Sequence, residues 1–297
     1  MGLATALAVA GCGIVVGDEL EGLGPRVDAA ITESGSEDSA PETPEAPPCS
    51  AVFFGLPPAA LGACRAHWSA RGQGLRTLSA YAIDGAPLLA GAFAPGPDRE
   101  ASMGLGRAQL DTEITKQRAA GFRPLQISPV VSGASVTFAA LFTKADKPEL
   151  EWLVGVVRSE LDVRGAEVGS KGFGTDIYVA YEQGGGFYTG AVWSKHVIDA
   201  KVLGPVSVAD FKRWHADLLK DGFQPVQITP TRPTIGGTHY CGVYNATPLV
   251  RDMLIEATPT VFLAEHAAKT DAGRKLEFLS VAGPSSPPTV AALWVAE

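Results

Sequence analysis

Four hydroxyl residues recur at matching places in this chain. Ser79, Ser128, Thr229 and Ser280 each stand seven positions after a glycine, namely Gly72, Gly121, Gly222 and Gly273. A fifth glycine, Gly172, has Val179 at that place. Equivalent positions of a repeated fold point the same way, so the four hydroxyls are candidates to line one ligand-facing surface. Small hydroxyl residues also satisfy backbone groups at strand ends, and that local role competes with ligand contact.

Other chemistry is sparse. The histidines are His67, His196, His215, His239 and His266, with no His-x-x-x-His spacing, and no Cys-x-x-Cys occurs. No metal site is indicated, and no cofactor is called for. His215 and His266 stand 29 and 28 residues before Tyr244 and Trp294, which marks them as repeat positions with a structural role. Gly172 and Gly174 lack the third glycine of a dinucleotide loop, and Gly184 to Gly186 read as a hairpin turn. No carboxylates pair as an acid and base would need. No catalytic residue is assigned.

The elements that position these residues follow a period. The five glycines are 49, 51, 50 and 51 residues apart. A large residue follows each by 21 or 22 positions: Phe93, Phe142, Trp193, Tyr244 and Trp294. An apolar residue precedes each by 11: Leu61, Leu110, Leu161, Phe211 and Phe262. Three columns on one period indicate five tandem units, at approximately 56–95, 103–144, 149–195, 204–246 and 254–296.

Unit four is the clearest. Ser207 and Asp210 give an N-cap signature, and Val208, Phe211, Trp214 and Leu218 form one apolar helical stripe. Gly222 follows where a left-handed cap is wanted. Phe223 to Thr229 alternate apolar and polar, which predicts a half-buried strand, with Pro225 placing it at an edge or at a strand start. A turn near Gly236-Gly237 leads to a strand ending Cys241-Gly242-Val243-Tyr244. Every unit reads helix, glycine, strand, turn, strand. In unit three Gly165 and Gly169 interrupt the helical stretch, and Glu149–Leu161 offers the stronger helix.

The fold class is therefore α+β, five helix–β-hairpin repeats forming one closed propeller-like ring or a curved solenoid. Terminal solenoid units need a polar outer face; units one and five keep their apolar markers, which favours closure. The units also alternate between two types, and an odd number of them argues the other way.

The N-terminal part differs from the array. Residues 1–12 are apolar or small and end Val9-Ala10-Gly11-Cys12, similar to the lipobox of bacterial lipoproteins, whose cysteine is acylated. No Lys or Arg precedes Cys12, a departure that a misplaced start codon would explain. Residues 13–48 predict a disordered tether, rich in Glu, Ser and Pro. Of 24 basic and 32 acidic residues, Arg26 and nine carboxylates lie between Gly17 and Pro48, leaving 23 of each elsewhere. A neutral array argues against nucleic acid. Cys49 and Cys64 would close a short loop by a disulfide, as suits an oxidising compartment, while Cys241 is a small buried residue. The tandem-repeat domain spans 49–297, and the expected location is the bacterial cell envelope, periplasm-facing or at the surface, with a membrane anchor through Cys12.

Units two and four carry Gly-Phe-x-Pro-x-Gln-Ile-Ser/Thr, as Gly121 to Ser128 and Gly222 to Thr229, then a turn and a small-small-apolar-aromatic strand. They resemble the bacterial tandem-repeat domain, which also forms the N-terminal part of secreted polyglycine hydrolases. The resemblance covers about Pro57 to Trp294 and implies an exported repeat scaffold. A β-lactamase-like catalytic domain would need Ser-x-x-Lys, and no serine here has lysine at that spacing. The expected function is a lipid-anchored scaffold that binds a peptide, glycan or envelope protein without catalysis. The alternative is a serine hydrolase, or an accessory subunit of one, acting on Gly-rich peptides. A structural component of a surface layer is a third reading.

Overall fold

The computed structural model describes residues 49–145, 149–195, 199–233, 236–283 and 287–296. Cys12, the leader and the acidic stretch through Pro48 lie outside the described residues, as does His196. Each marker glycine sits just past a helix with a positive φ, from 71° at Gly72 to 83° at Gly222. A Cβ is costly in that conformation, so glycine stops the helix and turns the chain into a strand.

Unit one contains β1 (Val52–Leu56), α1 (Leu61–Ser69), β2 (Gln73–Ile83) and β3 (Ala86–Pro95). Unit two contains β4 (Glu100–Leu105), α2 (Arg107–Ala119), β5 (Phe122–Ser132) and β6 (Ser135–Lys144). Unit three contains β7 (Leu150–Val156), α3 (Arg158–Ser170), β8 (Gly174–Gln183) and β9 (Gly186–Ser194). Unit four contains β10 (Ala200–Ser207), α4 (Val208–Lys220), β11 (Phe223–Thr231) and β12 (His239–Ala246). Unit five contains β13 (Arg251–Ala257), α5 (Pro259–Asp271), β14 (Arg274–Ala282) and β15 (Thr289–Ala296). The fold is α+β, five repeats of one helix and one three-stranded antiparallel sheet.

Three sequence expectations are corrected. First, each unit has a strand before its helix, not only a hairpin after it. This first strand pairs with the last, so the order is first, last, second, as in β1-β3-β2. Second, the helix of unit three is Arg158–Ser170, and residues 150–156 form β7 against β9. The helix tolerates its glycines because Leu161 and Val168 are buried and Gly165 lies beneath the Trp193 indole, where a Cβ would be 3.8 Å from Cζ2. Third, the second strand is not half-buried. Gln126 and Gln227 are 3% and 4% exposed, because one face of the strand meets its own helix and the other meets the neighbouring unit.

Two devices repeat with the period. The register of every second strand slips by one residue at a bulge, at Arg76, Leu125, Asp176, Val226 and Glu277. The hairpins of units one and three close through two residues with positive φ, Asp84-Gly85 and Gly184-Gly185, the backbone that matches strand twist. At the helix start, Ser207 Oγ accepts from Asp210 N at 3.2 Å, as its sequence signature indicated.

The apolar core is five linked clusters. Each joins the helix and sheet of one unit to the sheet of another. Leu61 and Phe93 pack with Val130 and Leu141, Leu110 and Phe142 with Ile177 and Val192, and Leu161 and Trp193 with Cys241 and Val243. Phe211 and Tyr244 pack with Phe278 and Leu293. The fifth cluster joins Phe262 and Trp294 of unit five to Tyr81 and Ala90 of unit one. The Cys49–Cys64 disulfide ties the residues before β1 to α1, with Cα atoms 5.7 Å apart. This bond is consistent with an exported protein. No helix among the described residues is long and apolar enough to cross a membrane.

Candidate functional site

The second strand is an edge strand of its own sheet, so one row of its peptide groups lacks a partner within the unit. Side chains from another unit supply partners. Gln227 of unit four accepts from Tyr178 N at 2.9 Å and donates to Tyr178 O at 2.8 Å, completing both backbone bonds of that residue. Gln126 of unit two accepts from Leu78 N at 3.2 Å and donates to Leu279 O at 2.7 Å, so it touches units one and five together. Thr77 Oγ1 accepts from Leu279 N at 3.0 Å, and Ser79 Oγ accepts from Val281 N at 2.9 Å. Carboxamides and hydroxyls thus replace a strand neighbour, which satisfies groups that would otherwise be buried unpaired.

Above this layer, toward the hairpin turns, the second strands surround a cavity of about 300 Å³. Ser79, Ser128, Thr229 and Ser280 all line it. Val179 does not; it is fully buried in the core, and unit three presents Ala180, Tyr181 and Glu182 instead. The four hydroxyls are not equivalent. Ser79 serves the Val281 amide, and Thr229 Oγ1 accepts from Gln227 Nε2 at 3.0 Å. The Ser128 and Ser280 hydroxyls make no hydrogen bond among the described residues, so both keep a donor and an acceptor for a ligand. Asp84, Glu182 and Arg232 complete the charged part of the lining. Burial raises the phenols of Tyr81 and Tyr181, so both lining tyrosines remain protonated at neutral pH.

The remaining candidates lie elsewhere. None of the described histidines lines the cavity. His215 Nδ1 is 3.1 Å from the Tyr244 hydroxyl, and His266 Nδ1 accepts from Trp294 Nε1 at 3.2 Å. Both imidazoles stack on the helix phenylalanine, Phe211 or Phe262. They bind helix to sheet within a unit. Cys241 is buried, and loss of solvation pushes its thiol up to about 12, which leaves no thiolate for attack. No group of three metal-ligating side chains occurs among the described residues.

Sequence reasoning missed Thr77, Gln126 and Gln227 as a set. They stand five positions after their marker glycines, and the column was legible: Thr77, Gln126, Ile177, Gln227, Phe278. Alternation made the glutamines look solvent-facing, which hid their role between units.

Residues 96–145, the whole of unit two, match the family model described as polyglycine hydrolase-like, structural repeat. No curated protein matches the chain.

Proposed function

We propose, from the premise that unit two is a polyglycine hydrolase-like structural repeat whose elements all five units share, that the protein is an exported, lipid-anchored scaffold that binds a peptide or glycan in the cavity between its second strands. The observation that carries this reading is the meeting of four equivalent hydroxyl positions on one cavity, two of whose hydroxyls make no hydrogen bond among the described residues. Hydroxyls, peptide groups and a few charges suit ligands rich in amides or hydroxyls. The volume of about 300 Å³ is at the small end of ligand cavities and favours a short segment over a folded partner.

We further infer that the five units close into a propeller-like ring. Unit five meets unit one through the same kind of core and the same kind of edge-capping bond that join the others. Closure brings five second strands around one axis and gives the cavity its walls. Anchoring through Cys12 accords with the disulfide, which marks an oxidising compartment.

The binding test is calorimetric titration of triglycine and of N-acetylglucosamine oligomers, with Ser128→Leu and Ser280→Leu filling the cavity. Binding lost in both variants supports the reading, and binding indifferent to both refutes it. Cleavage of Gly-rich peptides that is abolished by alanine at one of Ser79, Ser128, Thr229 or Ser280 would establish the hydrolase instead. Closure predicts slow amide exchange at Leu279 and Val281, where an open solenoid leaves both exposed. Lipidation predicts that Cys12→Ala releases the protein from membranes.

A further inference from the structure

A second group of polar side chains gathers where the second strands begin, away from the hairpin turns. The bulge residues Arg76, Asp176 and Glu277 come from units one, three and five. Arg123 lies just before the bulge of unit two, and Arg99 just before β4. Three of these charges are matched: Arg123 Nη1 is 2.6 Å from Asp176 Oδ2, and Glu277 pairs with Arg251.

Arg76 and Arg99 are not matched. Among the described residues, the Arg76 guanidinium forms no ion pair and donates no hydrogen bond. Among the same residues Arg99 donates only to the backbone carbonyl of Arg76. Neither side chain is free in solvent, for both residues are partly buried. Loss of solvation, then the neighbouring Arg76 and Arg123, pull the Arg99 guanidinium down to about 10, against an opposing pull from Glu277. A guanidinium placed beside two others with one neutral acceptor is a cost to the fold, and an anion would relieve it.

The backbone holds the pair in place. Gly96 has φ 126°, and a Cβ there would lie 3.0 Å from Arg76 Nη1, so glycine leaves room for that guanidinium. Asp98 Oδ1 accepts from Leu75 N at 2.9 Å, and Arg65 Nη2 donates to Arg99 O at 2.9 Å. The link between units one and two is thereby pinned across the start of β2. A site whose groups are already ordered binds without that entropy cost.

We propose that Arg76 and Arg99, backed by Arg123, bind a small oxyanion, a carboxylate or a phosphate group, at the start of the second strands. The planar fork of arginine fits both groups through paired hydrogen bonds. This site is separate from the hydroxyl cavity and stands or falls independently of it.

The test is calorimetric titration of the full chain with inorganic phosphate and, in parallel, with acetate, at constant ionic strength. Saturable binding at one site per chain is expected from at least one of them, and the stronger of the two identifies the oxyanion. Arg76→Gln and Arg99→Gln should each weaken it roughly tenfold. Arg213→Gln, which removes a surface arginine paired with Asp210 on α4, should leave it unchanged. Glu277→Gln should strengthen binding by removing an opposing carboxylate, a gain that damage to the fold cannot produce. Absence of saturable binding, or binding that survives both Arg76→Gln and Arg99→Gln, overturns the proposal.

Discussion

Gln126 Nε2 donates a 2.7 Å hydrogen bond to the carbonyl oxygen of Leu279, 153 residues further along the chain. The same carboxamide accepts from Leu78 N. One buried side chain therefore completes the edges of two units at once. Gln126→Leu would keep the volume and leave the buried Leu78 amide unpaired, with Leu279 O held by Thr77 Oγ1 alone at 3.3 Å. The expected loss is about 1–3 kcal/mol, read as a lower midpoint in urea. Gln227→Leu should behave alike through Tyr178. A loss under half of that in both would mean that water replaces the carboxamide.

The junction of units five and one is also a close backbone approach. A Cβ on Gly283 would lie 1.9 Å from Ala82 O. Backbone cannot swing aside as a side chain does, so Gly283→Ala should force the two units apart. The expected result is a lower melting temperature together with faster amide exchange at Val281, whose N–H is held by Ser79.

Acid should loosen the helix packing. Burial lowers both His215 and His266 below the ordinary histidine value. A depressed folded pKa means that the unfolded chain binds the proton more tightly. The stability is therefore full above about pH 6.5 and is lost as pH falls from there through the folded values. Protonated His266 also cannot accept from Trp294 Nε1. Melting followed from pH 8 to pH 5 should show the fall. The double variant His215→Phe, His266→Phe should flatten it.

The disulfide spans 15 residues. The chain-entropy model assigns a loop of that size about 3 kcal/mol. Cys49→Ser with Cys64→Ala should lower stability by that order and release the residues before β1 from α1. Limited proteolysis near residue 50 reads the release directly; an unchanged cleavage rate would show that β1 alone holds that end.

Much of the unit was legible because its signals are local. Gly72, Gly121, Gly172, Gly222 and Gly273 mark helix ends through a backbone need that no neighbour can alter. The hairpin turns and the Ser207 cap are similarly short-range. The first strand of each unit was not legible, though Gly55, Gly104 and Gly155 stand 17 residues before their markers. A five- to eight-residue strand has no identity until it finds its partner, and that partner lies beyond a whole helix. The helix misplaced onto Glu149–Leu161 failed for this reason: its apolar residues pair with β9, and periodicity over one turn cannot distinguish the two.

By itself, then, the chain determined the period, the glycine-capped helices of units one, two, four and five, the burial of Cys241 and the repeat character of His215 and His266, because each depends on residues near in sequence. Only the tertiary structure decided where Ser79, Ser128, Thr229 and Ser280 meet, why Gln126 and Gln227 are buried, and that Arg76 and Arg99 come together beside charges from three other units. Those arrangements depend on how one unit lies against another; the period marks the columns but does not say which neighbouring group each member meets.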